Sequence, residues 1–359
     1  MTAVVVRGGP ATLDGATLDA WRRLAELREN PFLTPEWCTA WLDSHPMEQP
    51  FLVLWNVDDE LRGVLPLVGS TGLPRRLRFA GARRGDWFTP ACSREDETAM
   101  GVACAELLKR ERWHWQLLEL DRIDGQSAWP QALWDGAVPA SISPARSRRS
   151  DVLPFIGFDD NGYEGYLAGR SRNFRSQLGR RRRKLEREHD LGFAMTTDPE
   201  RLSEDLDIFF RLHEERWRNR GGSSSGEEEV KRFHRQFAAA ALTRGWLRLW
   251  IAEADGEPAA AWYGWRIGGR YCYALSGLSE RYEPLGLGTV LLAHTIEQAA
   301  LEGASIYDLM WGDEGYKRRF ETGRRHAATW VLGRRRHPIQ ASAAARTALE
   351  RKARQFRGR

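Results

Sequence analysis

The chain has 359 residues, 42% of them hydrophobic, which supplies enough apolar side chain for two packed cores and excludes a disordered chain. Its 54 Lys and Arg stand against 49 Asp and Glu, a net charge of +5 that leans toward anionic partners without being extreme. No apolar run approaches the length of a membrane span and the start, MTAVVVRGGPATL, lacks a basic-then-apolar leader, so a cytoplasmic protein without an integral membrane segment is expected.

Cys38, Cys92, Cys104 and Cys272 show no C-x-x-C and the histidines are scattered, so no metal is expected. Residues 17–48 read as helical, with Leu18, Trp21, Leu24 and Leu27 on one face, running into NPFLTPEWCTAW. Phe51 to Val57 and Leu61 to Val68 flank Asp58-Asp59 as a hairpin. A helical stretch ending at Leu107 and Leu108 then leads to a strand over WHWQLLEL, Trp113 to Leu120. Residues 135–150, DGAVPASISPARSRRS, are rich in Pro, Ser and Ala and read as a compact linker at a domain boundary.

The stretch SRNFRSQLGRRRRKLEREHDLGF predicts a helix with Phe174, Leu178 and Leu185 on one stripe, surrounded by Arg175, Arg180 to Arg183, Lys184 and Arg187. Such a run is either a solvated face or a phosphate-holding surface; no aromatic interleaving or zinc pattern supports specific nucleic-acid recognition. Leu206 to Trp217 is a second helix, with Phe209, Leu212 and Trp217 inward, and the run from Asn219 to Glu229, NRGGSSSGEEE, has the composition of a mobile loop. Val230 to Leu242 is again helical.

Three strands follow, Leu247 to Ala254, Glu257 to Ile267 and Tyr271 to Leu278, joined through the hairpin signals Asp255-Gly256 and Gly268-Gly269. Cys272 lies in the last of them, where a small buried thiol is expected rather than a nucleophile. Gly286 and Gly288 sit where an amphipathic run begins, with Leu292, Ile296 and Ala299/Ala300 at helical spacing and Gly303 at its end. Free N–H groups at such a helix start attract anions, although a lone G-x-G before a helix is more often only a turn. Ser305 to Met310 is the next strand, followed by a polar turn carrying Asp313, Glu314, Tyr316 and Lys317. The last stretch, RRRHPIQASAAARTALERKARQFRGR, is a basic, helix-prone tail.

A meander, a Gly-containing loop, a helix and a strand in this order resemble the acyl-CoA half of the GNAT acyltransferase superfamily. The wording from Gly245 to Ala300, with IYDLMWGDEGYKRRF after it, looks like the cellulose-biosynthesis-protein-like (CelD/BcsL) branch, which is related to the Fem-type aminoacyltransferases. The sharpest part is D-L-x-x-G-D-E-x-Y-K, from Asp308 to Lys317. The implied fold is α/β (α+β): tandem GNAT-like units, each a mixed, largely antiparallel sheet flanked by helices. The implied division is 1–150, a degenerate unit shaping the acceptor cleft or serving as scaffold; 151–335, the donor-binding unit; and 336–359, the tail.

The resemblance implies N-acyl transfer from acyl-CoA, acetyl-CoA or an acyl carrier to a small-molecule, peptide or glycan amine. It places the thioester arm beside Tyr273 to Ser276 and the pyrophosphate on the amides of Leu285, Gly286, Leu287, Gly288 and Thr289, with Lys317, Arg180 and Arg183 as further phosphate ligands. Tyr316 is then the candidate general acid and Asp313 or Asp308 the candidate base, while packing for Tyr316 and bracing of the turn for Asp308 are the plainer roles. The loop departs from the family at Glu283, a carboxylate where an Arg or Gln is usual. That departure leaves open transfer from aminoacyl-tRNA, as in the Fem-type relatives, and a catalytically silent binding scaffold. The loop from Asn219 to Glu229 is implied to be a lid on the acceptor side.

Overall fold

In the computed structural model, which describes residues 2–82, 84–137, 142–218 and 227–334, the chain divides into two units. One runs to Asp151 and takes up the chain again at His326; the other is Val152–Arg325. The lid expected at 219–229 falls for the most part, and the basic tail entirely, outside the described residues.

The first unit starts with β1 (Thr2–Val6) and α1 (Gly15–Leu27), whose start is capped by Asp14 accepting from the Thr17 amide at 2.7 Å. The helix expected to run on to residue 48 is broken, because Glu29 turns to φ 49° and Pro31 follows. A separate α2 (Pro35–Ser44) starts on its own cap, Thr34. Trp21 and Trp37 are fully buried, but Leu27 is exposed. The hairpin β2 (Glu48–Val57) and β3 (Glu60–Ser70) turns through Asp58 and Asp59, both at positive φ as a tight two-residue turn requires.

After β4 (Arg76–Phe79) and β5 (Ala91–Cys92), helix α3 (Glu97–Arg110) crosses over to β6 (Leu117–Asp124), which lies parallel to β4. The β6 strand begins four residues later than the sequence suggests: Trp113 is exposed in a turn, and Trp115 is held by a bond from its Nε1 to the Leu108 carbonyl at 3.0 Å. Helix α4 (Trp129–Ala137) packs on α3. The four cysteines are buried, Cys272 among them, and none is in a disulfide among the described residues.

The expected linker at 135–150 is largely a strand. β7 (Ile142–Gly157) carries the chain into the second unit, where α5 (Gly162–Ala168), α6 (Arg172–Glu188), β8 (Leu191–Met195), α7 (Leu202–Arg218) and α8 (Glu228–Thr243) follow. The meander β9 (Leu247–Ala254), β10 (Glu257–Ile267) and β11 (Arg270–Leu278) comes next, then α9 (Leu287–Leu301), β12 (Ile306–Asp308), α10 (Lys317–Phe320) and β13 (Gly323–Arg334).

Within the second unit the strand order is β7-β12-β11-β10-β9-β8, antiparallel except for the β11–β12 pair. In the first unit the order is β1-β2-β3-β4-β6, completed by the end of β13 antiparallel to β6. Each unit is therefore a mixed, largely antiparallel sheet with a helical crossover between its parallel pair. The antiparallel strand beside β6 is not β7, the next in sequence, but the far end of β13, while β7 from Val152 pairs with β12. Residues 326–334 thus belong to the first unit's sheet, whereas the sequence reading ran the second domain to 335.

α9 is largely apolar, packing on α5, α6 and β10, with Glu297 at its partly exposed side paired to Arg182. Ile296 and Ala299 are fully buried, with Leu292 nearly so, and they meet Trp262, Tyr271 and Tyr307 of the sheet. Truncating Ile296 to Ala would cost about 2–5 kcal/mol.

Candidate functional site

β11 and β12 pair only from Arg270 to Cys272 against Ile306 to Asp308. Beyond that point β11 continues to Leu278 without β12 beside it. Its register against β10 jumps from Gly264↔Tyr273 to Tyr263↔Leu275, so Ala274 is the extra residue of a β-bulge. Gly264 is required opposite it, since a Cβ there would land on the Cys272 carbonyl oxygen. The extra residue brings Tyr273 and Ser276 onto one face, where the Tyr273 hydroxyl donates to Ser276 Oγ at 2.7 Å.

That face opens onto a cavity of about 300 Å³ whose wall includes Arg181, Arg216, Trp262, Glu283, Gly286, Gly288, Thr289 and Tyr316. One side is α7, which lies directly on β11: a Cβ on Gly277 would come within 2.6 Å of Leu212 Cβ and 2.7 Å of the His213 nitrogen. Close approach lets three side chains from one turn of α7 reach the end of β11 and the residues just after it. His213 Nδ1 meets the Ser276 carbonyl at 2.8 Å, Glu215 accepts from Ser279 Oγ at 2.9 Å and from the Glu280 amide at 2.7 Å, and Arg216 Nη1 donates to Ser276 Oγ. Burial works against the Arg216 charge, but the Tyr273 and Tyr316 phenols and Glu283 favour it, and the net effect raises its pKa above the ordinary arginine value.

Tyr316 stands just before α10 with its ring partly buried against the core. Burial, then Tyr273 and Glu314, push its phenol well above the usual tyrosine range, so the group carries its proton at neutral pH.

Asp308, at the end of β12, and Asp313 and Lys317 of the polar turn have different surroundings. Asp308 is fully buried, paired with Arg270 at 3.2 Å and with Arg325, and accepts from the Met310 amide at 2.9 Å. It braces the end of β12 and is not on the cavity wall. Asp313 is exposed and paired with Arg318 and with Arg324, and its pKa is lowered chiefly by the Arg318 hydrogen bond. Lys317 is buried, with Nζ donating to the Trp311 carbonyl at 2.7 Å and meeting Glu314 at 3.0 Å. It ties the turn together instead of reaching the loop before α9.

Of the loop residues, Gly286 has φ 77°, the left-handed conformation that lets the chain enter α9. Its amide donates to the Glu283 carbonyl at 3.0 Å, and the Thr289 amide to the Gly286 carbonyl at 3.0 Å. The Leu287 and Gly288 amides open the helix without a partner among the described residues, as the first turn of a helix does. The Leu287 side chain is fully buried and Leu285 packs on the core, so both offer backbone only.

The basic helix contributes through a residue that the sequence reading did not single out from its run. Arg180 and Arg183 are exposed and absent from the cavity wall, whereas Arg181 lies over Gly286 and its Nη1 donates to Thr289 Oγ1 at 3.3 Å. Arg181 falls seven residues after Phe174 and four before Leu185, on the inward side of the helix, and this phase is visible in the sequence. Arg216 has the same kind of signal: it follows Phe209 by seven residues and Leu212 by four, a lone cation on a buried stripe.

Residues 172–318 match the family model described as acetyltransferase (GNAT) domain. That match lies within the second unit, and the chain as a whole has a GNAT-like, Fem-related fold. Among solved structures it is similar to that of FemX, at 10% identity and a TM-score of 0.63, over 92% of this chain and 97% of that one. It is also similar to L-PGS from Bacillus licheniformis, at 13% identity and a TM-score of 0.57, over 94% and 96% of the two chains. A third is the C-terminal domain of a putative lysylphosphatidylglycerol synthetase from Agrobacterium fabrum, at 10% identity and 0.57, over 93% and 95%. At such identities the likeness is one of fold. A comparison with curated proteins found none that matches this sequence.

Proposed function

We propose that the second unit is an N-acyltransferase of the cellulose-biosynthesis-protein-like branch, passing an acyl group from acyl-CoA or an acyl carrier to an amine by direct attack. The observation that carries this reading is one cavity on which the start of α9, the end of β11 that lacks β12 beside it, and Tyr316 converge. A thioester arm fits along β11 beyond Cys272, where backbone is free of β12. Its phosphates fit the Leu287 and Gly288 amides, with Arg181 over the same turn.

In the reaction the amine nitrogen bonds to the thioester carbonyl carbon, the C–S bond breaks, and the departing thiolate takes the Tyr316 proton. Arg216 stabilises the phenolate left behind. Glu283 lines the cavity whereas Asp308 and Asp313 do not, so the base role falls to Glu283, directly or through a water.

Glu283 also favours a second reading. A carboxylate beside the α9 start repels a pyrophosphate, and the FemX likeness keeps an aminoacyl-tRNA donor in view. Incubation of the purified protein with a panel of acyl-CoAs, or with charged tRNA, and an amine mixture separates the two. Mass-spectrometric detection of acylated amine that depends on CoA ester and resists RNase supports the first reading. RNase-sensitive product replaces it with the second, and absence of product from either donor leaves a binding scaffold.

A further inference from the structure

Arg216 is a cation with an unfilled donor. Its Nε is sealed from solvent and has no hydrogen-bond partner, and its Nη1 is spent on a neutral hydroxyl, Ser276 Oγ. No carboxylate is in an ion pair with it among the described residues; Glu283, which also lines the cavity, acts on it through space. A buried guanidinium held by hydroxyls alone is costly, and the cost is relieved when a ligand brings a negative charge. Three hydroxyl-bearing side chains, Tyr273, Ser276 and Tyr316, share this end of the cavity and complete a donor-rich floor.

We propose that this floor binds the carboxylate of the acceptor, so that the substrate class is α-amino acids and related amines carrying a carboxylate close to the reacting nitrogen. The planar, forked guanidinium, which lines the cavity, matches a carboxylate with two parallel N–H···O bonds. Glu283 then faces the ammonium of the same molecule. One carboxylate and one guanidinium lining the same cavity suit a zwitterion, whose two charges lie only a few ångströms apart. The assignment deepens the N-acyltransferase reading and depends on it for the word acceptor. The same chemistry could reach Arg216 from the donor, as a dicarboxylic acyl group, and the test separates these sources.

Thermal unfolding is followed with a pool of the common L-amino acids, with the pool of their C-terminal amides, and with succinyl-CoA against butyryl-CoA. The amino-acid pool should raise the melting temperature by about 3 °C once a member exceeds its Kd tenfold, and the amide pool should not. The rise should vanish in Arg216→Met and fall by at least half in Arg216→Lys, which keeps the charge and loses the fork. If Arg216→Met does not fold, the acid-against-amide comparison in the wild-type protein and the Arg216→Lys result carry the decision. A preference for succinyl-CoA over butyryl-CoA that depends on Arg216, without an amino-acid effect, overturns the acceptor assignment in favour of the donor. Equal effects of both pools, or no effect of any carboxylate, overturns it altogether. If amino acids bind but no CoA ester does, the carboxylate site stands and the acyl-CoA reading fails.

Discussion

Replacing Tyr316 with Phe removes one oxygen from the cavity and nothing else. The ring packs on the core next to the α10 turn, and Phe keeps that packing, so fold and donor binding should be almost unchanged. The phenol interacts with Tyr273 and lies near Arg216, and losing a hydrogen bond of this kind costs about 1 kcal/mol of stability. The rate should suffer far more. A single positioned proton donor contributes roughly 10²-fold or more, so kcat should fall by at least that factor while donor Kd stays within about twofold. The defect should shrink with thioesters of more acidic thiols, which depart without help.

The pH profile adds a sign. Burial holds the Tyr316 pKa above its ordinary value, so the acid form persists as pH rises and the wild-type rate should show no alkaline loss below pH 10 from this group. Single-turnover acyl transfer over a pH series, in both proteins, measures all of this. A near-normal rate for Tyr316→Phe with the natural donor would refute the role and hand the proton to water.

Gly277→Ala should destabilise the second unit by about 1–3 kcal/mol, because the new methyl meets backbone of α7, and denaturant titration checks it; an unchanged midpoint would mean that α7 does not sit on β11. Asp308→Asn should cost about 3–5 kcal/mol by leaving Arg270 and Arg325 without their shared carboxylate, and any residual folded protein should still transfer acyl groups; a stable variant that is inactive would restore Asp308 to the chemistry. At Glu302, burial works to raise the pKa, but the hydrogen bonds from Arg248 and Tyr271 outweigh it and leave the pKa below its ordinary value. Its contribution is then present above the unfolded pKa and lost as pH falls through the folded one, so the acid limb of the stability curve should flatten in Glu302→Gln; an identical limb in the two proteins would contradict the ion cluster.

Much of the second unit was legible because its signals are local. Asp255-Gly256 and Gly268-Gly269 mark the hairpins, and in the structure Asp255, Gly256 and Gly268 take the positive φ that such turns need. The α9 start was legible from Gly286 and Gly288 for the same reason. What was not legible depends on pairing over long separations. No local pattern says that residues 326–334 complete the first sheet while β7 completes the second, nor that a Pro- and Ser-rich stretch at 142–150 is extended in a strand.

The site divides the same way. Tyr316, Gly286 and Gly288, singled out from their motifs, line the cavity, whereas Asp308 and Lys317 have structural partners that sequence does not reveal. Arg181 and Arg216 lie between these cases. Helical phase put both on inward faces, but a run of arginines and a charged helix end drew attention to net charge instead of to phase.

The most direct test of the donor site is calorimetric titration of the wild-type protein and of Gly288→Asp with acetyl-CoA. Around Gly288 the nearest contact for an added Cβ is Leu278 Cδ2 at 3.4 Å, so the aspartate fits, yet it puts a carboxylate where the phosphates should meet the α9 amides. The account predicts binding to the wild-type protein, loss of at least about tenfold in affinity for the variant, the size expected when like charges are brought together, and an unchanged melting temperature. Equal affinity in the two folded proteins, or no binding to either, would contradict it.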